Sequence, residues 1–243
     1  GPVPVARGPS SGRGYREIDE SVAEEQTAVD EPNVGETNPL VIRHLRKQFG
    51  GVGGKLAVKD LCLRVNEGEC FGFLGTNGAG KSTTFSMLTG ATSPSSGDAL
   101  LHGMSSLTQQ NLIRKRVGYC PQHDALQALM TGREMLRMYA RIKEVPLAEI
   151  EAEVQGLIID LDLGKFADKP CGTYSGGNKR KLCVGIALVG SPSLVLLDEP
   201  SSGMDAASKR FLWSVIKRRT AHCCTVLTTH SMEECEALCQ RIG

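Results

Sequence analysis

The spacing of hydrophobic residues changes near residue 40 of the chain. Residues 1–38 are rich in Gly, Pro, Ser and Glu and have no hydrophobic period, which predicts a flexible acidic linker. A single amphipathic turn at 15–22 that docks on the rest of the chain is the alternative. Short apolar runs at 40–45, 58–65 and 70–74 then predict β-strands. We therefore expect a body at 39–243 that begins with a strand-rich layer.

Helical spacing and short buried strands alternate in the second half of the chain. Apolar runs at 194–197 and 225–228 follow stretches of helical spacing, which is typical of a parallel sheet covered by helices. The core is therefore predicted to be α/β.

Two predicted helices interrupt this alternation. Residues 131–134, Thr-Gly-Arg-Glu, are a capping box, in which the Thr hydroxyl and the Glu carboxylate satisfy backbone N–H groups at a helix start. The predicted helix extends to 145, and another begins within 147–160. Helices inserted between sheet elements predict a helical subdomain at about 121–190. Ser231 to Glu234 offer a second capping box near the end of the chain.

Composition and charge narrow the range of functions. The chain has 243 residues, of which 40% are hydrophobic, and a net charge of +1. Its first 39 residues carry eight acidic and three basic side chains, so the rest is mildly basic. A mildly basic body suits a polyphosphate ligand but lacks the strong basic stripe of nucleic-acid-binding proteins. We expect no nucleic-acid partner.

The cysteines and the apolar runs indicate the environment of the domain. Nine cysteines lie mostly within apolar runs, which is typical of buried thiols in a reducing compartment and not of a disulfide framework or a zinc site. No apolar run approaches the ~18 to 20 residues that span a bilayer. The isolated domain is therefore expected to be soluble.

The strongest chemical signal is a glycine-rich loop between a predicted strand and a predicted helix. Residues 75–82 read G-T-N-G-A-G-K-S, which is the G-x-x-x-x-G-K-[ST] pattern of phosphate-binding loops. Its backbone N–H groups surround a phosphate, Lys81 reaches the β and γ oxygens, and the Ser82 hydroxyl binds Mg²⁺. We expect nucleotide contacts from Gly75, Thr76, Asn77, Gly78, Ala79, Gly80, Lys81, Ser82 and Thr83.

Two carboxylates follow the apolar run at 194–197. Because ligands bind at the carboxyl ends of strands in open α/β sheets, Asp198 and Glu199 are expected near the phosphate loop. Asp198 is expected to hold Mg²⁺, and Glu199 to accept the proton of the water that attacks the γ-phosphate. An acidic strand end before a turn at Pro200 is the alternative without chemistry.

Three further segments narrow the class of phosphate-loop protein. Residues 174–178, Tyr-Ser-Gly-Gly-Asn, precede a predicted helix at 179–189, residues 201–205 follow the carboxylates, and His230 ends the last predicted strand. Their order and spacing resemble the nucleotide-binding domain of ATP-binding cassette transporters over residues 40–243. That resemblance implies an ATPase of this class, with a mixed or parallel sheet core, an antiparallel β layer and an inserted α-helical subdomain.

Residues 118–124, 174–181 and 229–239 resemble more closely the second nucleotide-binding domain of the full-length A-subfamily, whose members mostly move lipids. The resemblance implies ATP and Mg²⁺ as ligands and face-to-face pairing with a second nucleotide-binding domain, from the same polypeptide or from another copy. It also implies contact with transmembrane domains around Gln122, and lipid as an indirect partner only. The domain would lie at the cytoplasmic face of a membrane, within an integral membrane transporter.

The resemblance also implies roles for single residues. Gln122 would sense Mg²⁺, joining Ser82 and Asp198 as a metal residue, and His230 would contact the γ-phosphate and position water. Ser175 and Gly177 would touch the γ-phosphate held by the opposing domain, and residues 202–205 would line the seam between the domains. The nucleotide contacts in that region would be Tyr174, Ser175, Gly176, Gly177 and Asn178. The catalytic set would be Glu199, His230, Gln122 and Lys81.

Other positions leave alternatives open. Phe49 is expected to stack on adenine, where the family usually has Tyr, and an ordinary core Phe is the alternative. Lys179, Arg180 and Lys181 are more typical of a solvated helix face than of a ligand site. Domains of this kind usually continue for another strand or two, so we expect the chain to be a trimmed part of a longer polypeptide.

Two other functions compete with a transport ATPase. One is a regulatory module that uses ATP only to hold two domains together, and measurement of phosphate release distinguishes it. The other is a soluble cassette of DNA maintenance or translation. DNA-maintenance proteins separate the phosphate loop from the carboxylates by a long coiled coil, which this sequence lacks. Binding of a membrane domain near Gln122 would exclude the soluble cassettes of translation. The transported molecule and its direction are not encoded in this segment.

Overall fold

The computed structural model describes residues 12–31, 33–51 and 53–243, with the side chains of 12–19 and Glu36 outside that description. Three strands follow residue 40, and strands then alternate with single helices or groups of helices. In chain order they are α1 (Gly12–Val29), α2 (Val34–Thr37), β1 (Leu40–Gln48), β2 (Leu56–Val65), β3 (Cys70–Leu74), α3 (Lys81–Leu88), β4 (Ser96–Leu101), β5 (Met104–Ser105), α4 (Gln110–Arg116), β6 (Val117–Cys120), α5 (Gly132–Ile142), α6 (Ile150–Asp160), α7 (Gly176–Leu188), β7 (Leu194–Asp198), α8 (Ala206–Arg219), β8 (Cys224–Thr229), α9 (Met232–Leu238) and β9 (Arg241–Ile242).

A parallel sheet in the order β6-β7-β8-β3-β9 forms the centre of the fold. Every residue of β7 is buried, because helices cover one face of this sheet, and α3, α4 and the antiparallel layer cover the other. Leu194 and Leu196 face one hydrophobic cluster, and Val195 and Leu197 face the other. The predicted α/β core is confirmed, and β3, β7 and β8 end at the same edge of the sheet.

The antiparallel sheet has the order β2-β1-β4-β5, and two of the three runs predicted for the strand-rich layer, 40–45 and 58–65, belong to it. The third run, 70–74, is β3 of the parallel sheet, because a short apolar run does not reveal which sheet its strand joins. Leu40, Ile42 and Leu45 of β1 pack with Phe85 of α3 in the cluster between the two sheets. This packing fixes α3 against the parallel sheet, and with it the loop that precedes α3.

The helices α5, α6 and α7 lie between β6 and β7 in sequence, within the predicted helical subdomain. The capping box predicted at the start of α5 is present, with Thr131 accepting from the backbone of Glu134 and the Glu134 carboxylate accepting from the backbone of Thr131. α7 crosses very close to β6, since a Cβ at Gly118 would lie 1.9 Å from the carbonyl oxygen of Ala187. Glycine at 118 therefore allows α7 to pack directly on the sheet.

The segment expected to be a flexible linker contains two helices, α1 and α2. α1 covers Gly12–Val29, and its last part packs on the antiparallel sheet. Glu25 accepts from the backbone N–H of Arg64 and from the guanidinium of Arg241, and Val29 is fully buried. Val22 of the alternative docked turn is exposed. The contact uses charge pairs and only a few apolar residues, so hydrophobic spacing gave little sign of it. Residues 1–11 lie outside the description.

All nine cysteines are free, seven of them buried. Among the described helices, none combines the length and apolar character needed to cross a bilayer.

Candidate nucleotide site

The glycine-rich loop joins the end of β3 to the start of α3. Gly78 and Gly80 have φ values of 89° and 95°, which only glycine adopts without strain. At Gly80 a Cβ would also meet the carbonyl oxygen of Ala57 at 2.5 Å. Lys81 Nζ donates to the carbonyl oxygens of Gly75 and Thr76, at 2.6 and 3.2 Å. The loop is therefore an open turn of backbone N–H groups, with one cation folded over it.

Asp198 lies at the end of β7, next to the first turn of α3. Its Oδ1 accepts hydrogen bonds from the hydroxyls of Ser82, at 3.3 Å, and Thr228. The carboxylate is buried, so it is fixed in place by its neighbours. A hydroxyl and a carboxylate oxygen side by side are the hard oxygen ligands that Mg²⁺ prefers. The residues present therefore fit a magnesium ion at this point.

Glu199 has an unusual backbone conformation. Its φ is 51°, in the left-handed region that non-glycine residues seldom adopt. The backbone N–H donates to both the carbonyl and the hydroxyl oxygen of Thr228, each at 3.1 Å. This conformation turns the side chain towards His230, whose Nδ1 lies 2.8 Å from Oε2 of Glu199. The Glu199 side chain is 6% exposed and that of His230 is 60% exposed.

These groups border one cleft of about 280 Å³. Of the predicted residues, it brings together most of the phosphate loop, Phe49, Gln122 and Glu199. Its lining comprises Phe49, Lys55, Ala57, Asn77, Gly78, Ala79, Gly80, Lys81, Ser82, Thr83, Gln122 and Glu199. Phe49 is 44% exposed at the rim, which differs from the alternative of a core Phe.

The segment 174–178 lies outside the lining of this cleft, at the start of α7. Ser175 is the N-cap, and its hydroxyl oxygen accepts from the backbone of Asn178 at 3.3 Å. A Cβ at Gly176 or Gly177 would meet no other atom within 4 Å, so both glycines face open space. A ligand that binds this helix end would therefore reach it through the open space beside the two glycines.

Tyr174 differs from the expected nucleotide contact. It is buried in the hydrophobic cluster of the helical subdomain, and its hydroxyl donates to the carbonyl oxygen of Phe166 at 2.7 Å. Burial raises the pKa of this phenol to about 12. Tyr174 therefore anchors the segment, because an aromatic ring before Ser175 fills the core and not the surface.

Arg180 does not lie on a solvated helix face, which was the prediction for residues 179–181. It is 3% exposed, and its guanidinium donates to backbone carbonyl oxygens of the segments around Gln122 and Glu199. The neighbouring Lys179 and Lys181 are half-buried. Three basic residues in a row suggested solvent, but helical spacing turns only the middle one towards the core.

The buried carboxylate of Glu234 holds the loop after Glu199. The sequence predicted that it would complete a capping box with Ser231. Glu234 accepts from the Ser201 hydroxyl at 2.7 Å and from Trp213 Nε1 at 2.8 Å. Ser231 caps α9 by accepting from the backbone of Glu234, but the Glu234 carboxylate is used in this network. The second capping box is thus incomplete.

The rest of the 202–205 segment leads into α8. Asp205 caps this helix and accepts from the backbone of Ala207 and Ser208. A hydrogen bond with the Ser208 side chain, together with these backbone bonds, lowers the pKa of Asp205. Its carboxylate therefore serves the helix start, and the exposed Ser202 and Gly203 remain the accessible part of the segment.

Comparison with known proteins identifies the family of this chain. A family model described as ABC transporter matches residues 58–202, more than half of the chain. Human retinal-specific phospholipid-transporting ATPase ABCA4 is 51% identical over 93% of the chain, and human phospholipid-transporting ATPase ABCA3 is 49% identical over 93%. Mouse ATP-binding cassette sub-family A member 7 is 48% identical. The chain spans 10 to 13% of the length of these relatives.

Solved structures agree with the architecture. The ATP-binding subunit of an ABC transporter superposes with a TM-score of 0.74 at 26% identity, covering 82% of both chains. A dimeric ATP-binding cassette in a post-hydrolysis state with ADP and Pi gives a TM-score of 0.75 at 20% identity, covering 82% of this chain and 90% of that one. The second similarity supports the fold alone. Since the family model covers most of the chain and the site carries its phosphate loop and carboxylates, this protein belongs to the ABC transporter family, with 48 to 51% identity to the matching regions of A-subfamily relatives.

Proposed function

We propose that this domain binds and hydrolyses ATP with Mg²⁺ at a seam between two such domains, and thereby powers lipid transport by a membrane transporter. The observation that carries the hydrolytic part is the position of Glu199. Its carboxylate borders the cleft beside the phosphate loop, and its Oε2 lies 2.8 Å from Nδ1 of His230. A carboxylate held in this way can act as a general base.

Nucleotide binding rests on the loop and on Lys81. The backbone N–H groups of the loop and the start of α3 provide a positive surface for the phosphates. Lys81 would exchange its two loop carbonyls for phosphate oxygens, which are stronger acceptors. Ser82, Asp198 and Gln122 would hold Mg²⁺, which when bound neutralises charge on the β and γ oxygens. Phe49 would stack on the base at the rim of the cleft.

Hydrolysis would use Glu199 and His230 together. Glu199 would take a proton from the attacking water, because its carboxylate is held close to the cleft. His230 would orient this carboxylate through Nδ1, and its exposed ring would face the γ-phosphate and the water. The left-handed backbone of Glu199 supports this role, since such strained conformations concentrate at functional sites.

The second half of the phosphate cage would come from a partner domain. The N-terminus of a helix attracts anions, and that of α7 carries Ser175 on its open side. Gly176 and Gly177 have free space where a side chain would stand, so this chain's own packing does not require glycine there. A phosphate that approaches these N–H groups closely would require it. Pairing could be with a second domain of the same polypeptide or with another copy.

The membrane partner is inferred from the relatives. Two of them are named phospholipid-transporting ATPases, and this chain corresponds to about a tenth of their length. Gln122 is exposed at the junction of the cleft and the helical subdomain, which is where transmembrane domains would make contact. We place the domain at the cytoplasmic face of a membrane, as the second nucleotide-binding domain of its transporter, with lipid bound elsewhere.

Two substitutions test the proposal. We expect the wild-type chain to release phosphate from Mg-ATP and to lose this activity when EDTA removes the metal. Glu199→Gln should keep its affinity for a fluorescent ATP analogue but release phosphate at least ~100-fold more slowly, because it lacks a base. Lys81→Ala should lose nucleotide binding itself. The exposed Glu236→Gln on α9 is the matched carboxylate control and should behave as wild type.

The results separate the competing functions. A wild-type chain that binds ATP and pairs without releasing phosphate would be a dimerisation module and not an ATPase. Native turnover by Glu199→Gln would remove Glu199 as the base. Unchanged nucleotide affinity of Lys81→Ala would contradict the role of the loop.

A further inference from the structure

Arg180, in the second turn of α7, makes an unusual set of contacts. A guanidinium has five N–H donors, and here each faces a backbone carbonyl oxygen. Nε donates to Pro200 at 2.9 Å, Nη1 to Pro121 and Gln122 at 2.6 and 3.4 Å, and Nη2 to Asp198 and Glu199 at 2.6 and 3.0 Å. The nearest carboxylate, Asp124 Oδ1, is 3.9 Å away.

These carbonyls belong to two segments that follow the paired strands β6 and β7. One is the start of the loop with Gln122, and the other runs from Asp198 to Pro200. Arg180 itself belongs to the helix that begins after Ser175, about 7 Å away along the helix axis. One buried side chain therefore connects the Gln122 loop, the carboxylate segment and α7.

The contact with Glu199 acts on a strained peptide. Glu199 has a φ of 51°, and its carbonyl oxygen accepts from Nη2 of Arg180 while its side chain lies next to His230. Strained conformations persist when their surroundings fix them firmly. On the carbonyl side, Arg180 provides that fixation together with the N–H of Ser202.

We propose that Arg180 is a positioning residue for ATP hydrolysis, which holds Glu199 and Gln122 in register with α7. The inference rests on the proposed function. In a pair of domains, Glu199 and Gln122 act on the nucleotide of their own domain, whereas the start of α7 acts on the nucleotide of the partner. Arg180 thus links the two sites of the pair mechanically.

This role differs from simple support of the fold. None of the Arg180 contacts is made with the phosphate loop, so nucleotide affinity depends on other residues. A shift of about 1 Å in a catalytic group can reduce turnover about 100-fold while binding is retained. Loss of positioning therefore predicts a lower kcat with an unchanged KM.

The test uses Arg180→Lys and Arg180→Gln in the full chain. Lysine keeps the charge but has three donors in place of a planar fork of five, and glutamine removes the charge. We expect kcat to fall roughly 10-fold for lysine and roughly 100-fold for glutamine, with KM and fluorescent-ATP affinity within about 3-fold of wild type. Arg133→Lys is the control, since Arg133 forms a bidentate pair with Asp168 away from the cleft.

Thermal midpoints of all four proteins complete the design. A native kcat in Arg180→Lys and Arg180→Gln would overturn the proposal. So would a joint loss of thermal midpoint and nucleotide affinity, because this would show support of the fold only. If Arg133→Lys lowered kcat as much, the effect would not be specific to Arg180. A wild-type chain that releases no phosphate would instead refute the proposed function, and this inference with it.

Discussion

Lys143 is a cation placed in an environment that disfavours its charge. Its Nζ donates to the carbonyl oxygens of Arg114 and Val117, at the end of α4, so it caps that helix from the end of α5. Burial lowers the pKa of Lys143 to about 8. Because the group is held in this position, its protonation changes within an accessible pH range.

The lowered pKa of Lys143 predicts a pH dependence of stability. In the unfolded chain a lysine has a pKa of about 10.4, so between about pH 8 and 10 the unfolded state holds more protons than the native state. The contribution of Lys143 to the free energy of unfolding therefore rises as the pH increases through that range, and it is lost as the pH falls to 8. Lys143→Met removes the titrating group. We expect Lys143→Met to have a higher free energy of unfolding than wild type at pH 8. This difference should shrink by about 1 kcal/mol from pH 8 to 10, a value that allows for solvent screening of the half-buried side chain.

Urea unfolding at a series of pH values measures this difference. Subtracting the variant from wild type cancels the titration of the cysteines, which both proteins share. The exposed Lys115→Met, which also removes a cation near α4, is the control. A difference between Lys143→Met and wild type that does not vary with pH would contradict the lowered pKa.

Single residues differ in how far the sequence alone predicts them. Lys81 and Ser82 could be predicted because their chemistry follows from spacing within one loop. Arg180 could not, since its five acceptors come from positions 18 to 59 residues away in the chain. Tyr174 and Glu234 were also assigned from local motifs, and their long-range partners, Phe166 and Trp213, give them other roles. A local pattern places the loop that carries Lys81 and Ser82, whereas contacts between distant segments, such as those of Arg180, follow only from the fold.

At the scale of elements, boundaries follow the strength of the local signals. Apolar runs predicted β3, β7 and β8 of the parallel sheet but not β6 and β9, and a capping box predicted the start of α5. α1 was not predicted, because it docks through Glu25, Ala28 and Val29 and has no continuous apolar stripe. The sequence therefore predicts elements that bury a regular hydrophobic pattern better than those attached by a few contacts.

The capping box of α5 leads to a prediction at this scale. Thr131→Ala removes the hydroxyl that accepts from the backbone N–H of Glu134, and an N-cap of this kind contributes about 1 kcal/mol. We expect a loss of that size in urea unfolding, with unchanged ATP-analogue affinity because α5 does not line the cleft. Thr131→Ser retains the hydroxyl and should recover most of the loss. Equal stability of the alanine and serine variants would show that the cap contributes little.

At the scale of the whole molecule, the parallel sheet assembles the site. The phosphate loop, the carboxylates and His230 follow β3, β7 and β8, whose carboxyl ends meet at one edge. This convergence follows from the general geometry of α/β folds and was therefore predictable. The start of α7 lies outside the lining of the cleft, so in the proposed function this helix completes the site of another domain. Domain pairing is thus the property of the whole molecule that most needs a test.

Gly177→Asp separates pairing from folding. Position 177 is in the first turn of α7, where a negative charge favours the helix, and a Cβ there meets nothing within 4 Å. The variant should therefore be at least as stable as wild type and should keep its affinity for nucleotide. In a pair, however, the new carboxylate would repel the γ-phosphate held by the partner domain. We expect phosphate release to fall roughly 100-fold and, in the Glu199→Gln background, ATP-dependent dimers to disappear from size-exclusion chromatography. Gly164→Asp places the same charge at another open glycine and should change neither result. If Gly177→Asp still formed dimers with ATP and hydrolysed it at the native rate, the start of α7 would not be part of the seam, because a buried carboxylate beside a triphosphate cannot be neutral in its effect.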